Sequence, residues 1–359
     1  MNRISLSDKY VLITGAAGFI GANLVMRIMN EEPSCHIVGL DNLNDYYDVS
    51  IKEYRLEQIK KAAETTGASW EFIKGSIADR ELVNELFIKY SFSAVVNLAA
   101  QAGVRYSLIN PDAYIETNIV GFYNIVEACR HSYDGGKTGV EHLVYASSSS
   151  VYGTNSSIPY SVEDPVEHPV SLYAATKKSD ELIAHAYSKL YSIPSTGLRF
   201  FTVYGPAGRP DMAYFGFTDK LKNNEKIKIF NYGKCKRDFT YVDDVTLGVY
   251  KVMQGAPDKR NGDDGLPIPP YALYNIGNSS PVELMDFIEI LGDELKKNGV
   301  LPDDFDIKAY EELVPMQAGD VPVTYADTTA LERDFGYKPK TPLRDGLERF
   351  AKWYKEFYG

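Results

Sequence analysis

Short apolar runs alternate with longer segments of helical periodicity through the first half of the chain. Each run is a continuous block of branched and aromatic residues, which is typical of strands buried on both faces of a sheet. We predict six such strands, over 10–14, 36–40, 70–74, 94–98, 143–147 and 195–200. Helical spacing separates them over 23–29, 52–63, 80–90 and from Pro111, since proline is favoured at the first position of a helix. This alternation predicts an α/β fold with a parallel sheet that helices cover on both faces.

The pattern changes after residue 200. Prolines, glycines and tyrosines interrupt shorter elements there, and 258–270 carries the turn signals of a surface loop. Helical spacing returns over 281–297, 328–335 and 343–358. We therefore predict a first domain of residues 1–200, to which 240–257 and 272–278 return. Residues 201–239 and 279–345 are expected to form a smaller α/β lobe that binds substrate over the carboxyl edge of the sheet, with a C-terminal helix over 343–358.

The composition is that of a globular protein with a sizeable core. Hydrophobic residues make up 44% of the 359 residues and charged residues 24%, which excludes disordered, collagen-like and coiled-coil chains. The net charge of −11 argues against binding to bulk nucleic acid or to a membrane surface. The cysteines Cys35, Cys129 and Cys235 are far apart and odd in number, so we expect no disulfide framework, no metal site and a reducing cytoplasm. We also expect no targeting signal and no membrane span, because no apolar stretch approaches ~20 residues.

Three glycines follow the first predicted strand where the first helix begins. Gly15, Gly18 and Gly21 have the spacing G-x-x-G-x-x-G. Such a loop lets backbone N–H groups approach a pyrophosphate at the positive end of a helix. A tight turn without a ligand is the alternative. The strand before the loop, the helix after it and an acidic residue downstream favour a dinucleotide site.

Asp41 ends the second predicted strand, twenty residues after Gly21 (41 − 21). Its carboxylate would accept hydrogen bonds from the ribose hydroxyls of adenosine and repel a 2′-phosphate, so we expect NAD rather than NADP. The alternative is that Asp41 caps the next helix, and Asp79 after the third strand has the same alternative. The small residues that end the fourth strand, 97–100, leave room for a flat ligand.

Tyr173 and Lys177 form a Tyr-x-x-x-Lys pair on one face of a predicted helix. An ammonium beside a phenol lowers the phenol pKa from ~10, so the phenolate becomes a general base toward a sugar hydroxyl. The four serines at 147–150 lie at the carboxyl end of the fifth predicted strand, where parallel sheets bind ligands. A serine hydroxyl there would bridge substrate and phenol. The alternative for these serines is a solvated turn.

Together these motifs resemble the extended short-chain dehydrogenase/reductase family, and within it the nucleotide-sugar 4-epimerases. The resemblance covers nearly the whole chain and includes the runs 41–47, 208–213, 231–237, 237–244 and 319–320. It implies a Rossmann-type doubly wound sheet with a smaller substrate lobe, bound NAD and a UDP-sugar substrate. It also implies an isomerase of carbohydrate metabolism and polysaccharide biosynthesis that acts as a homodimer through the helices 111–130 and 174–190. Packing within one chain would give those helices the same apolar faces.

The resemblance assigns roles to individual residues. Ser148, Tyr173 and Lys177 are expected to be catalytic, with Tyr173 as the base and Lys177 as its activator and a ligand of the nicotinamide ribose. The expected cofactor residues are Gly15, Gly18, Phe19, Ile20, Gly21, Asp41, Asn42, Ile77, Asp79, Leu98, Ala99 and Ala100, with Tyr173 and Lys177. The expected substrate residues are Arg105, Ser148, Ser149, Ser150, Thr202, Arg209, Arg237 and Asp320.

Within that set, Ser149, Ser150, Thr202 and Arg209 are expected around a sugar carboxylate. Arg237 is expected to hold the diphosphate, unless it is a surface residue paired with Asp238. Arg105 is expected on a lid over the pocket or, alternatively, in a solvated loop. The chain departs from UDP-galactose-type epimerases at Gln317, where those enzymes have an arginine, so one nucleotide contact is expected to be weaker or to come from elsewhere.

The implied reaction is epimerisation at C4 of UDP-glucuronate to UDP-galacturonate through a 4-keto sugar. UDP-glucuronate decarboxylase and UDP-glucose 4-epimerase are the nearest alternatives, and an NAD-binding redox-sensing scaffold is the alternative without catalysis. Related dehydratases need an acid–base pair of carboxyl groups beside the catalytic hydroxyl. Ser149 and Ser150 occupy those positions here, which argues against dehydration.

Overall fold

The computed structural model describes residues 1–316 and 321–359. Its main sheet has seven parallel strands in the order β7-β6-β5-β4-β1-β2-β3. The strands are β1 (Tyr10–Thr14), β2 (His36–Asp41), β3 (Ser69–Lys74), β4 (Phe92–Asn97), β5 (His142–Ser148), β6 (Ser195–Phe200) and β7 (Tyr271–Ile276). All six predicted strands are present, and β7 adds an edge strand beside β6. The predicted α/β fold with a parallel, doubly wound sheet is confirmed.

Helices cover both faces of this sheet. The helices are α1 (Phe19–Glu31), α2 (Val49–Thr66), α3 (Arg80–Lys89), α4 (Pro111–Tyr114), α5 (Phe122–His131), α6 (Leu172–Tyr191), α7 (Ala213–Lys222), α8 (Val242–Met253), α9 (Leu284–Lys297), α10 (Thr329–Phe335) and α11 (Leu343–Tyr358). Side chains of β1 alternate between two cores, with Val11 and Ile13 packing with α1 and α8, and Leu12 packing with α3 and α5. Because neighbouring residues of a strand point to opposite faces, an all-apolar strand fills both cores.

The helix predicted from Pro111 is interrupted. A π-helical segment, Ile115–Gly121, lies between α4 and α5. The extra residue in its turn shifts the phase of the helix, so a 3.6-residue pattern could not locate it. This segment packs against α6, which carries the Tyr173–Lys177 pair.

Short strands in the second half of the chain pair with one another in separate two-stranded sheets. Residues Thr202–Tyr204 pair with Phe239–Tyr241, and Ile227–Ile229 pair with Glu311–Leu313, both in parallel. The helix expected from residue 281 begins at Leu284, because the two residues before it pair with Lys236–Arg237. The expected loop over 258–270 contains a small hairpin, in which residues 260–261 pair with residues 267–268.

Candidate active site

A cavity of about 910 Å³ opens at the carboxyl edge of the main sheet. Its wall combines the glycine loop and the ends of β2, β4 and β5 with α6 and segments of the second half of the chain. The strand order reverses between β1 and β4, which is where ligands of such sheets bind. The sequence-predicted residues on this wall are Gly15, Gly18, Phe19, Ile20, Gly21, Asp41, Asn42, Ile77, Leu98, Ala99, Ala100, Arg105, Ser148, Ser149, Ser150, Tyr173, Lys177, Thr202, Arg209 and Arg237.

The glycine loop brings the backbone to the cavity at the start of α1. Gly15 has a φ of +69°, and a Cβ there would lie 2.8 Å from the backbone nitrogen of Ala99. A Cβ on Gly21 would lie 2.1 Å from the carbonyl oxygen of Gly15, so a side chain cannot be accommodated. Gly18 is the N-cap of α1 and has no side chain to bond its first N–H groups, and no acidic residue lies in the first turn. These free donors suit a pyrophosphate.

Asp41 lies beside the glycine loop with its carboxylate almost fully buried. It accepts hydrogen bonds from the backbone N–H of Ala17, at 3.1 Å, and of Leu43, at 2.9 Å. It does not cap a helix, because Asp48 has that role at α2. The carboxylate therefore links the loop to the end of β2 and lies on the cavity wall, where a ribose would sit.

Asp79 does not lie on the cavity wall, so the cavity does not support its predicted place among the cofactor residues. Its carboxylate accepts a hydrogen bond from the N–H of Leu82 and caps α3. An aspartate after a strand serves equally as a helix cap or as a ligand group, and sequence alone does not distinguish the two. The nearby Ser76 and Ile77 line the cavity instead.

Arg55 was missed by the sequence analysis and is one of the largest fully buried side chains. Its guanidinium donates to the carbonyl oxygens of Ala17, Ala207 and Gly208. It thus ties the glycine loop to the second half of the chain. A charged residue in the polar run of α2 is normally solvated, so this role could not be predicted from the sequence.

The serines at the end of β5 are held by specific contacts and do not form a solvated turn. Ser147 is buried and donates to Glu181 at 2.6 Å. The Ser148 oxygen accepts a hydrogen bond from the N–H of Ser150, at 3.2 Å, and caps a short 3-10 turn. Ser149 and Ser150 are partly exposed on the cavity wall. Their hydroxyls are therefore available to a ligand.

Tyr173 and Lys177 face the cavity from the first turns of α6, which Ser171 caps. The Lys177 ammonium donates to the carbonyl oxygen of Ala146, at 2.9 Å, and to Asp180, at 3.1 Å. An ammonium has three protons, so one remains for the cavity side. The ring of Tyr173 packs edge-on against Tyr114, with centroids 6.0 Å apart. Both side chains of the pair therefore lie on the cavity wall.

Asn118 connects the π-helical segment to this pair and was also missed. Its side-chain oxygen accepts from the N–H of Gln101, and its amide donates to Gln101 and to Thr176. Thr176 in turn donates to the carbonyl oxygen of Tyr173. Asn118 thus fixes the loop after β4 against α6. The phase shift of the π segment turns Asn118 inward, which helical periodicity could not show.

Arg209 faces the cavity already paired with an acidic group. It forms two hydrogen bonds with Asp211, at 3.0 and 2.6 Å, and the Tyr46 hydroxyl donates to the same carboxylate at 3.3 Å. Burial alone would raise the pKa of Asp211, but the Arg209 charge and its hydrogen bonds hold that pKa below its usual value. Burial beside Asp211 raises the pKa of Tyr46 to about 12. Arg209 therefore presents a cation with a counter-charge next to it.

Arg237 and Arg105 lie on the substrate side of the cavity. Arg237 donates to the carbonyl oxygens of Lys236 and Pro322. The alternative pairing with Asp238 is wrong, since the buried Asp238 carboxylate accepts from backbone N–H groups, including those of Asn278 and Ala326. Arg105 is exposed, and its guanidinium stacks over a ring of the second half of the chain, Phe230, at 5.1 Å.

Two sequence-predicted features lie outside the described residues, namely Asp320 and the departure at Gln317. Within residues 1–316 and 321–359 no cluster of His, Cys, Asp and Glu could hold a metal ion. No helix in the same ranges combines the length and the apolar character needed to cross a bilayer.

Comparison with known proteins gives a consistent result. Residues 11–277 match the model of the NAD dependent epimerase/dehydratase family. A 37.6 kDa protein of Escherichia coli O111:H- is 48% identical, covering 98% of this chain and 99% of the relative. UDP-glucuronate 4-epimerase 4 of Arabidopsis thaliana is 44% identical, covering 97% of this chain and 76% of the relative. Among solved structures, UDP-glucuronic acid 4-epimerase from Bacillus cereus, in complex with UDP-glucuronic acid and NAD, superposes with a TM-score of 0.80 at 28% identity, covering 97% of this chain and 100% of that chain.

Proposed function

This chain belongs to the NAD dependent epimerase/dehydratase family, and we propose that it converts UDP-glucuronate to UDP-galacturonate by epimerisation at C4. One observation carries the proposal. One cavity is lined by the glycine loop with Asp41, by the Tyr173–Lys177 pair, and by hydroxyl groups together with the Arg209 cation. A dinucleotide, a sugar hydroxyl and a sugar carboxylate would each find matching groups there.

The glycine loop and Asp41 fit NAD. The uncapped N–H groups at the start of α1 would hold the pyrophosphate, and the Asp41 carboxylate would accept from the adenosine ribose. A 2′-phosphate would meet that carboxylate and be repelled. The chemistry that bound NAD supplies is reversible oxidation at C4 of the sugar.

The chain's own residues handle the proton. We infer that the Tyr173 phenolate takes the proton of the C4 hydroxyl and later returns it to the same oxygen. The Ser148 hydroxyl would bridge that oxygen and the phenol, and the free donor of Lys177 would hold the nicotinamide ribose. Between the two proton transfers the 4-keto sugar must rotate within the cavity, so that the opposite face of C4 is presented for reduction. The phosphate side of the substrate must then be held more firmly than the sugar.

The carboxylate of the intermediate needs its own restraint. A 4-keto uronic acid is a β-keto acid, which loses carbon dioxide when its C–CO₂ bond aligns with the carbonyl π system. Hydroxyls of Ser149, Ser150 and Thr202, with the Arg209 cation, would hold the carboxylate out of that alignment. All four side chains lie on the cavity wall. Their presence favours the epimerase over the decarboxylase, and the cation favours a uronic acid over UDP-glucose.

The segments 201–239 and 279–345 are proposed to form the substrate lobe. Thr202, Arg209, Phe230 and Arg237 supply the cavity wall from the first of them. A cation near a diphosphate gives charge-assisted hydrogen bonds, so Arg237 is the proposed diphosphate ligand. Arg105, stacked over Phe230, would close the cavity from the loop after β4.

A direct product assay tests the function. The purified protein would be incubated with UDP-glucuronate and, separately, with UDP-glucose, without added cofactor, and the products followed by NMR. Appearance of UDP-galacturonate with its carboxylate retained supports the proposal. Release of carbon dioxide with a UDP-pentose would identify a decarboxylase, and turnover of UDP-glucose alone would identify the other epimerase. If neither sugar is converted although NAD is bound, the result would favour the NAD-binding redox-sensing scaffold without catalysis.

We also propose that the protein is a homodimer. The helical stretch from α4 to α5 exposes Ile115, Val120 and Tyr123, and the neighbouring α6 exposes Leu182 and Leu190. Two adjacent helices with exposed apolar side chains suit a two-fold contact in which a second copy presents the same surface. The expected cytoplasmic location and the role in polysaccharide biosynthesis remain predictions.

A further inference from the structure

A buried charge next to the catalytic pair has no part in the reaction described above. Asp180 lies one helical turn after Lys177, and its carboxylate is 3.1 Å from the Lys177 ammonium. The two side chains are 1% and 2% exposed. The neighbouring Glu181 is different, because Arg199 binds it with two hydrogen bonds and Ser147 donates to it.

The second oxygen of Asp180 is buried and has no hydrogen-bond partner among the described residues. Leaving a buried carboxylate oxygen unpaired costs free energy. Consistent with this, burial raises the pKa of Asp180, and the Lys177 charge opposes the effect. An asparagine of the same shape would bury a neutral amide at less cost. The carboxylate is therefore a poor choice for packing alone, and its partner is the cation of the catalytic pair.

We propose that Asp180 is a positioning residue for the epimerisation, whose carboxylate holds the Lys177 ammonium in place and limits how much of its charge acts on the Tyr173 phenol. The inference rests on the proposed roles of Tyr173 and Lys177. Two of the three ammonium protons are engaged, by Ala146 and by Asp180. The third then has one direction left, toward the cavity.

The charge of Asp180 acts on both members of the pair in the same sense. A carboxylate favours a nearby positive charge and opposes a nearby negative one, so it favours the ammonium and opposes the phenolate. At an effective dielectric constant of about 20, one charge within several ångströms changes an ionisation equilibrium by on the order of tenfold. Removing the charge should therefore favour the neutral amine and the phenolate together.

The titratable groups that interact with Asp180 include Lys177 and Glu181 on its own helix and Tyr145 on β5. Glu181 in turn contacts Lys178, Arg199 of β6 and, through its backbone carbonyl oxygen, Tyr271 of β7. Glu181 is matched by Arg199, and burial raises the pKa of both tyrosines, so they stay neutral. Lys177 is thus the cation that pairs with Asp180, whereas Arg209 is a second cation that interacts with Tyr173.

The test is the pH profile of kcat/KM for UDP-glucuronate, measured for the wild type, Asp180→Asn and Asp180→Glu. Asp180→Asn should shift both limbs of the profile to lower pH by about one unit, because the charge is lost and the shape is kept. Asp180→Glu, which retains the charge, should keep both limbs closer to the wild type. KM for UDP-glucuronate should change less than two-fold.

The outcomes separate this inference from the function it rests on. If the wild type does not turn over UDP-glucuronate, both the proposed function and the proposed role of Asp180 are contradicted. An active wild type whose profile superimposes on that of Asp180→Asn would overturn the inference alone, even if the melting temperature changed, since that is the result for a packing role. If Asp180→Asn does not fold, Asp180→Ser, which is smaller and uncharged, is measured in the same way and must show the same shift.

Discussion

Individual side chains at the carboxyl edge of the sheet decide what this cavity can do. Tyr173 and Lys177 face it from α6, and Ser148 faces it from the end of β5. The sequence predicted these three because the Tyr-x-x-x-Lys spacing and a serine at a strand end depend only on local structure. Asn118 escaped prediction because its partners lie on other elements. Asp180 and Asp211 lie close in sequence to the cations they pair with, but only the structure shows those pairs.

Removal of one phenol oxygen tests the base. Tyr173→Phe should lower kcat at least ~100-fold, because general acid–base catalysis contributes about that much or more, while UDP-glucuronate and NAD still bind. Turnover by NMR and binding by calorimetry would be compared. Tyr232→Phe is the control, since Tyr232 is exposed, and it should behave as the wild type. Normal turnover by Tyr173→Phe would leave the cavity without its proposed base.

The counter-charge of Arg209 gives a second prediction at this scale. Asp211→Asn would remove the charge that Arg209 faces, so the cation would grip the sugar carboxylate more strongly. We expect KM for UDP-glucuronate to fall several-fold and kcat to fall with it, because the intermediate must turn within the cavity. Steady-state kinetics would measure both constants.

Asp304→Asn, on an exposed loop, is the matched control for that variant. A rise in KM for Asp211→Asn would show instead that Asp211 holds Arg209 in its binding position.

At the scale of elements, the strands of the main sheet were the most predictable part of the fold. Their apolar runs are long enough to fill a core on each face, and no tertiary contact is needed to recognise them. The π segment at Ile115–Gly121 and the short strand pairs of the second half could not be predicted in the same way. A strand of two or three residues is too short to show a hydrophobic periodicity. These segments form strands because they pair with residues that are distant in the sequence.

His142, at the start of β5, makes the free energy of unfolding depend on pH. It is fully buried between Thr196 and the carbonyl oxygen of Met253, and burial lowers its pKa from 6.5 to about 4. The unfolded chain takes up a proton at higher pH than the folded chain does, so stability is present above pH 6.5 and is lost as the pH falls toward about 4. The loss from this residue corresponds to about 3 kcal/mol.

Urea unfolding at a series of pH values measures this effect. His142→Asn should be less stable at neutral pH, because it loses packing and a hydrogen bond, yet its stability should fall less on acidification than that of the wild type. His168→Asn, at an exposed position, should follow the wild-type curve. Equal pH slopes for the wild type and His142→Asn would contradict the prediction.

At the scale of the whole molecule, the proposed dimer is the feature that one chain does not determine. The sequence showed apolar faces on 111–130 and 174–190 without distinguishing packing inside the chain from packing between chains. The structure leaves Leu190 70% exposed and Leu182 59% exposed on α6. Those side chains are therefore not buried in the core of their own chain.

A charge on that surface should separate the subunits. We expect Leu190→Asp to convert the dimer to a monomer or to weaken it strongly, since burying an unpaired carboxylate costs several kcal/mol. Light scattering after size-exclusion chromatography would give the mass. Leu313→Asp is the control, because Leu313 is 53% exposed on a strand of the second half. A wild type with the mass of one chain would contradict the proposed dimer directly.

The buried guanidinium of Arg55 has a consequence for how the two ligands influence each other. It grips the carbonyl of Ala17 on one side and those of Ala207 and Gly208 on the other. Any shift of the nucleotide-side loop must then be transmitted to the chain just before Arg209, and the reverse holds as well. The affinity for the dinucleotide and the affinity for the sugar are thus coupled through Arg55. A change that weakens one of them should weaken the other.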